Sequence, residues 1–85
     1  MARATPSPTP NPDAMKYTLD TTLPATMNVT DPEAARENPF VAAVFAAGGV
    51  ASVFGTNDFV TVTRLPGTDW SAITAAVQAA AAEHL

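Results

Sequence analysis

Cysteine is absent from all 85 residues, and lysine, histidine and tryptophan occur once each. Without a thiol these residues form no disulfide, no thiolate metal site, no cysteine ligation of an iron–sulfur cluster and no cysteine nucleophile. Positive charge is also scarce: four Lys and Arg stand against eight Asp and Glu, for a net charge of −4. Nucleic acids and anionic membrane surfaces are bound largely by Lys and Arg neutralising phosphates, so neither is expected as a partner. Long apolar runs are missing too. The most apolar one, Phe40 to Ala47, is followed by Gly48-Gly49, far short of the ~20 residues that span a bilayer. Prolines at 6, 8, 10 and 12 interrupt the N-terminus, which leaves no apolar stretch of the ~7–15 residues that a secretory signal requires. A single Arg there is too little for an Arg-rich mitochondrial presequence, and the expected location is the cytoplasm. Eighteen alanines with one lysine suggest a GC-rich bacterial genome.

What is present is apolar patterning, 47% of the chain, at a length that holds one domain. Alternating prolines remove backbone donors and favour extended polyproline II geometry. Residues 1–13 are therefore expected to form a disordered Pro-rich tail, and residues 14–85 a single domain. In Met15-Lys16-Tyr17-Thr18-Leu19-Asp20 the apolar residues alternate with polar ones, the period of a half-buried strand. Thr26 to Thr30 alternates again, with Met27 and Val29 inward. Val50–Phe54 and Phe59–Arg64, joined by Gly55-Thr56-Asn57-Asp58, predict a β-hairpin.

Thr30 or Asp31, followed by Pro32, starts a helix, and Asn38-Pro39 breaks or kinks it and caps a second piece. That piece carries a stripe of Val41, Val44 and Phe45 and ends at Gly48 or Gly49. Thr68 or Asp69 caps a last helix with Trp70, Ile73, Val77 and Ala80 on one face. The expected fold is α+β: a two-layer sandwich in ββαββα order, with a four-stranded, mainly antiparallel sheet and both helices on one face. Phe45, Val62, Trp70 and Ile73 are expected in its core.

Catalytic constellations are poorly served. Acyl transfer needs a nucleophile, a base and an orienting carboxylate, yet the serines are Ser7, Ser52 and Ser71 and the one histidine is His84. Gly48-Gly49 and Gly55 follow a helix and open a strand, the reverse of a phosphate-binding loop. Asp31, Glu33 and Glu37 cluster at the first helix, as a hard-cation site or a carboxylate pair would require. Acids there also complement the positive end of the helix dipole, with Arg36 nearby.

Asn38-Pro39-Phe40, Val44-Phe45, Gly49-Val50-Ala51-Ser52-Val53-Phe54 and Asp58 through Arg64 together resemble the N-terminal domain of the Nfu/NifU-type scaffold proteins of iron–sulfur cluster assembly. Asn11 to Lys16, Asp31 to Arg36, and Trp70 with Ile73 are similar to the same pattern, so the resemblance runs over roughly residues 11–77. Gly48-Gly49 departs from it, standing for a bulkier residue plus glycine. The resemblance implies a ββαββα fold, in agreement with the periodicities. In two-domain members a second domain carries the Cys-x-x-Cys pair that holds the cluster; with no thiol here, the resemblance implies a free-standing accessory domain. Its implied role is a non-catalytic binding module with no cofactor of its own. Its partner would be a separate Cys-containing scaffold or an iron–sulfur client protein, and iron enters only by family association. The alternative is a weak iron-binding domain using carboxylates, among Asp31, Glu33 and Glu37, with His84. Arg36, Asp58 and Arg64 are the expected partner-contact residues, the two arginines matching positively charged positions of the family pattern. No catalytic, cofactor-binding or metal residue is assigned.

Overall fold

Alternation in the strands and caps at the helices place most elements near their expected positions. The structure is a computed structural model that describes residues 2–85. In chain order it contains β1 (Ala4–Pro8), β2 (Ala14–Leu19), β3 (Met27–Val29), α1 (Pro32–Ala35), α2 (Pro39–Phe45), β4 (Val50–Thr56), β5 (Phe59–Arg64) and α3 (Trp70–His84). The strands form one antiparallel sheet in the order β1-β2-β5-β4-β3. Five strands thus replace the expected four, and three helices the expected two, although the class is α+β as expected.

The additional strand lies in the proline-alternating segment, so the expectation of disorder across residues 1–13 does not hold at Ala4–Pro8; Met1 lies outside the described residues. The physical reason is the parity of an antiparallel ladder. Alternate residues exchange N–H and C=O with the neighbouring strand, and those between them point both groups away. Asp20 donates its N–H to the Arg3 carbonyl at 3.3 Å, and the Arg3 N–H donates to the Asp20 carboxylate at 2.8 Å. In the register that continues from there (Ala4 opposite Leu19, Pro6 opposite Tyr17, Pro8 opposite Met15) Thr5 and Ser7 face β2. Pro6 and Pro8 occupy positions whose N–H the ladder does not use. Their polyproline geometry is already extended, so each proline is compatible with pairing and closes the outer edge of the sheet.

The helices separate for local reasons. The Asp31 carboxylate accepts the N–H groups of Glu33 and Ala34, both at 2.9 Å. Asn38, extended ahead of Pro39 (φ −126, ψ 111), accepts those of Phe40 at 3.0 Å and Val41 at 3.3 Å. Asp69 caps α3 through the Ser71 N–H at 2.9 Å. Past α2, Gly49 has φ +74, and a Cβ there would overlap the Thr68 side chain, so glycine is required on both counts.

One cluster holds the buried apolar residues of sheet and helices together. Val62 and Ile73 are fully buried as expected, whereas Phe45 and Trp70 pack only partly against the cluster. Phe40, 1% exposed, is the buried aromatic of α2, beside Val41 and Val44. At about 100° per residue, Phe40, Val44 and Val41 lie within one arc and Phe45 falls beyond its edge. Tyr17, at 0% exposure, sends its hydroxyl to Thr74 Oγ1 at 2.9 Å and ties the sheet to α3.

Two outcomes are expected. Deleting residues 1–8 uncovers the edge of β2 and removes buried Ala2 and Ala4. It should lower the melting temperature by more than about 10 °C, because a domain of this size loses ~4–8 °C per kcal/mol. Burial raises the Tyr17 phenol above its ordinary 10.0, partly offset by the Thr74 hydrogen bond. The folded state therefore holds that proton more tightly, so stability is fully present below pH ~10 and falls as pH rises through the raised value. Alkaline denaturation titrations should show this loss, and Tyr17→Phe should flatten it.

Candidate functional site

The three expected contact residues do not converge. Arg64, the last residue of β5, is consumed internally: its Nε lies 3.2 Å from Asp13 Oδ1 and its Nη1 donates to the Thr68 carbonyl at 2.8 Å. Its guanidinium also stacks 5.2 Å from the Trp70 ring centroid. Trp70 Nε1 in turn donates to the Pro12 carbonyl at 3.2 Å, and the Arg64 N–H to the Asp13 carbonyl at 2.8 Å. This cluster clasps the β1–β2 loop to the start of α3. Thr9 braces the loop from within, its hydroxyl 2.9 Å from the carbonyls of both Asn11 and Ala14.

Asp58 is at the opposite end of β5, in the hairpin turn, roughly 20 Å away at ~3.4 Å per residue. Its side chain is exposed and its carbonyl accepts the Leu19 N–H at 2.7 Å. The turn is shorter than expected, Asn57-Asp58 alone, with Asn57 at φ 53; Gly55 and Thr56 belong to β4. Arg36 is exposed at the C-terminal cap of α1, and among the described residues no ion pair engages it.

The carboxylates of the alternative metal reading are equally dispersed. Asp31 is used as a helix cap. Glu37 and His84 line one cleft of about 270 Å³ with Met27 and Phe40. Among the described residues no three of His, Cys, Asp and Glu come together as a metal ion would need. A second cleft, about 320 Å³, lies between Arg3, Asp20 and Gln78.

One feature escaped the sequence reading. Phe54 and Phe59 stand on the side of the sheet away from the core, Phe54 at 39% exposure and Phe59 half-buried. Lys16 Nζ lies 4.6 Å above the Phe59 ring centroid. The signal was the phase of the alternation: Phe59, Thr61 and Thr63 share the parity opposite Val60 and Val62. Aromatics in strands are usually taken as core, and that expectation conceals the phase.

Fold and surface together define a class, a small α+β domain with an open antiparallel sheet, in which no helix among the described residues is long and apolar enough to cross a membrane. The family described as "Scaffold protein Nfu/NifU N terminal" matches residues 5–85, and the chain belongs to it. Membership supports a role in iron–sulfur cluster assembly. The crystal structure of protein SAV1430 from Staphylococcus aureus is similar, with 25% identity and a TM-score of 0.75 over 92% of this chain and 96% of that one. The solution structure of a NifU-like protein from Saccharomyces cerevisiae shares the fold at 20% identity and a TM-score of 0.77, over 92% of this chain and 73% of that one. Protein SeR13 from Staphylococcus epidermidis also shares it, at 24% identity and a TM-score of 0.63, over 93% of each chain. No curated protein matches the sequence.

Arg64 and Arg36 should respond differently to truncation. Arg64→Ala should cost about 1–2 kcal/mol in denaturant melts and shift Trp70 fluorescence to the red. Arg64→Lys should recover only part of the loss, since lysine lacks the planar fork. Arg36→Ala should stay within about 0.5 kcal/mol of the parent.

Proposed function

We propose that this domain is a non-catalytic binding module of iron–sulfur cluster assembly that contacts a separate Cys-containing scaffold or an iron–sulfur client. In this reading α1, α2 and α3 form one layer over the apolar face of the sheet and leave the other face to solvent. The family match over residues 5–85 carries the reading. The ligand inventory adds to it. Cluster irons are held chiefly by Cys thiolates, with His in some sites, and these 85 residues supply one His and no Cys. A cluster handled with this domain is therefore cargo held by thiolates of another polypeptide segment. Arg36 and Asp58, exposed and, among the described residues, outside any internal ion pair, are suited to steer a partner. Arg64 supports the surface from beneath by holding the β1–β2 loop.

A second reading, weak iron binding, rests on Glu37 and His84 lining one cleft. A spectroscopic iron titration of the chain separates the two. Contact with a partner predicts saturable binding of an apo Cys-x-x-Cys scaffold domain, and Arg36→Glu should slow association several-fold at low salt. Anaerobic reconstitution that produced stoichiometric, cluster-type visible absorption in this chain alone would overturn the binding-module reading.

A further inference from the structure

The strand registers assemble the side chains away from the core into cross-strand rows. One row runs through Asn28, Phe54, Thr61, Lys16 and Ser7, and so touches every strand. The next contains Thr56, Phe59, Thr18 and Thr5. None of these residues is buried, and among the described residues Phe54 is one of two large apolar side chains exposed to water, the other being Leu65.

We propose that this open sheet face, centred on Lys16, Phe54 and Phe59, takes the protein partner face-on, and that the partner's matching surface is a carboxylate flanked by apolar side chains. The proposal rests on the binding-module reading and names its surface and chemistry. Charge is the main argument. Lys16 is the only ionic side chain in the two rows, on a chain of net charge −4. Asp20, next in the same parity beyond β2, has its carboxylate taken up by the Arg3 N–H at 2.8 Å. The ammonium is held over the Phe59 ring at 4.6 Å, so an arriving carboxylate meets a cation already positioned, beside apolar rings that exclude water from the pair. The surrounding hydroxyls donate or accept and lose little rotamer freedom on docking.

The backbone argues for face-on docking over strand addition. Pro6 and Pro8 leave the outer edge of β1 with the Ala4 N–H as its one outward backbone donor, and the other edge strand, β3, is three residues long. A second copy of the chain is a poor occupant, because it would bring another Lys16 and no carboxylate to the contact. Strands about 4.8 Å apart and ~20 Å long give the face roughly 400 Å², about 800 Å² buried in total, the size of a transient encounter with a partner and short of the ~1,200–2,000 Å² of a stable dimer. Stacking of single-stranded RNA on sheet aromatics uses similar rings, but a lone cation on an acidic chain opposes a phosphate backbone.

The test maps binding on the full, isotope-labelled chain by amide chemical shifts. Two probes are used: a short synthetic peptide with glutamates flanked by leucine and phenylalanine, and an apo Cys-x-x-Cys scaffold domain. Both should shift the amides around Lys16, Thr18, Phe54, Phe59 and Thr61. Lys16→Glu, at an exposed position, should leave the unbound spectrum otherwise intact and weaken both by about tenfold or more. A peptide with lysines in place of its glutamates should regain binding to that variant. Scaffold binding mapped to Arg36 and α1 would overturn this inference and leave the binding-module reading standing. Peptide binding on the open face without scaffold binding would support the surface chemistry and remove the cluster-assembly partner. Failure of both probes would overturn the surface together with the partner. Concentration-dependent shifts of this face in the free chain would replace the proposal with self-association, and tighter binding of oligouridylate than of peptide would replace it with RNA.

Discussion

A single parity governs this domain. In an antiparallel strand the residues that send side chains to one face also send their backbone groups to one side in the plane of the sheet, so one choice of phase fixes both. Met15, Tyr17 and Leu19 pair through β5 or its turn and project into the core; Lys16 and Thr18 pair through β1 and project away from it. The same phase passes to β5 as Val60 and Val62 against Phe59, Thr61 and Thr63, and to β4 as Val53 and Gly55 against Phe54. It also decides that prolines at alternate positions are accommodated in β1. A shift of one residue would put Pro6 and Pro8 where Thr5 and Ser7 donate, and would turn the core side chains outward.

The sheet needs fixing at its two extremes, and different chemistry serves each. At the centre of the core, a fully buried tyrosine is satisfied by the Thr74 hydroxyl, and no described side-chain polar atom is left buried without a partner. At the rim, Arg64 satisfies a carboxylate, a carbonyl and an indole face at once. A guanidinium suits that place because it is planar and weakly hydrated: it stacks on Trp70 while its edge serves Asp13 and Thr68. An arginine expected at an interface is thereby committed to the fold.

These commitments leave two kinds of surface. Around α1 exposed charges face solvent, Arg36 among them. The open sheet face presents hydroxyls, two phenylalanines and a lysine. The thiolates that a cluster requires come from neither. In the proposed reading, this domain recognises a partner and another polypeptide segment ligates the cluster.

The local signals in the sequence determined much of this. Period-two alternation in 15–20 and 59–64, the turn chemistry of Gly55 to Asp58, and cap candidates at 30–31, 38 and 68–69 each depend on neighbours a few residues away, and each element forms near its expected place. The α+β class and the family were legible for the same reason. Tertiary structure decided the rest. Whether a proline-alternating segment pairs depends on the strand across from it, and Ala4 meets Leu19 only after the chain has turned back. Whether Trp70 or Phe40 fills the core, and whether Arg64 faces a partner or Asp13, depends on contacts made across distances such as the 58 residues between Trp70 and Pro12. A side chain's periodicity gives its phase within its own element; which phase faces the protein is set by the elements packed against it.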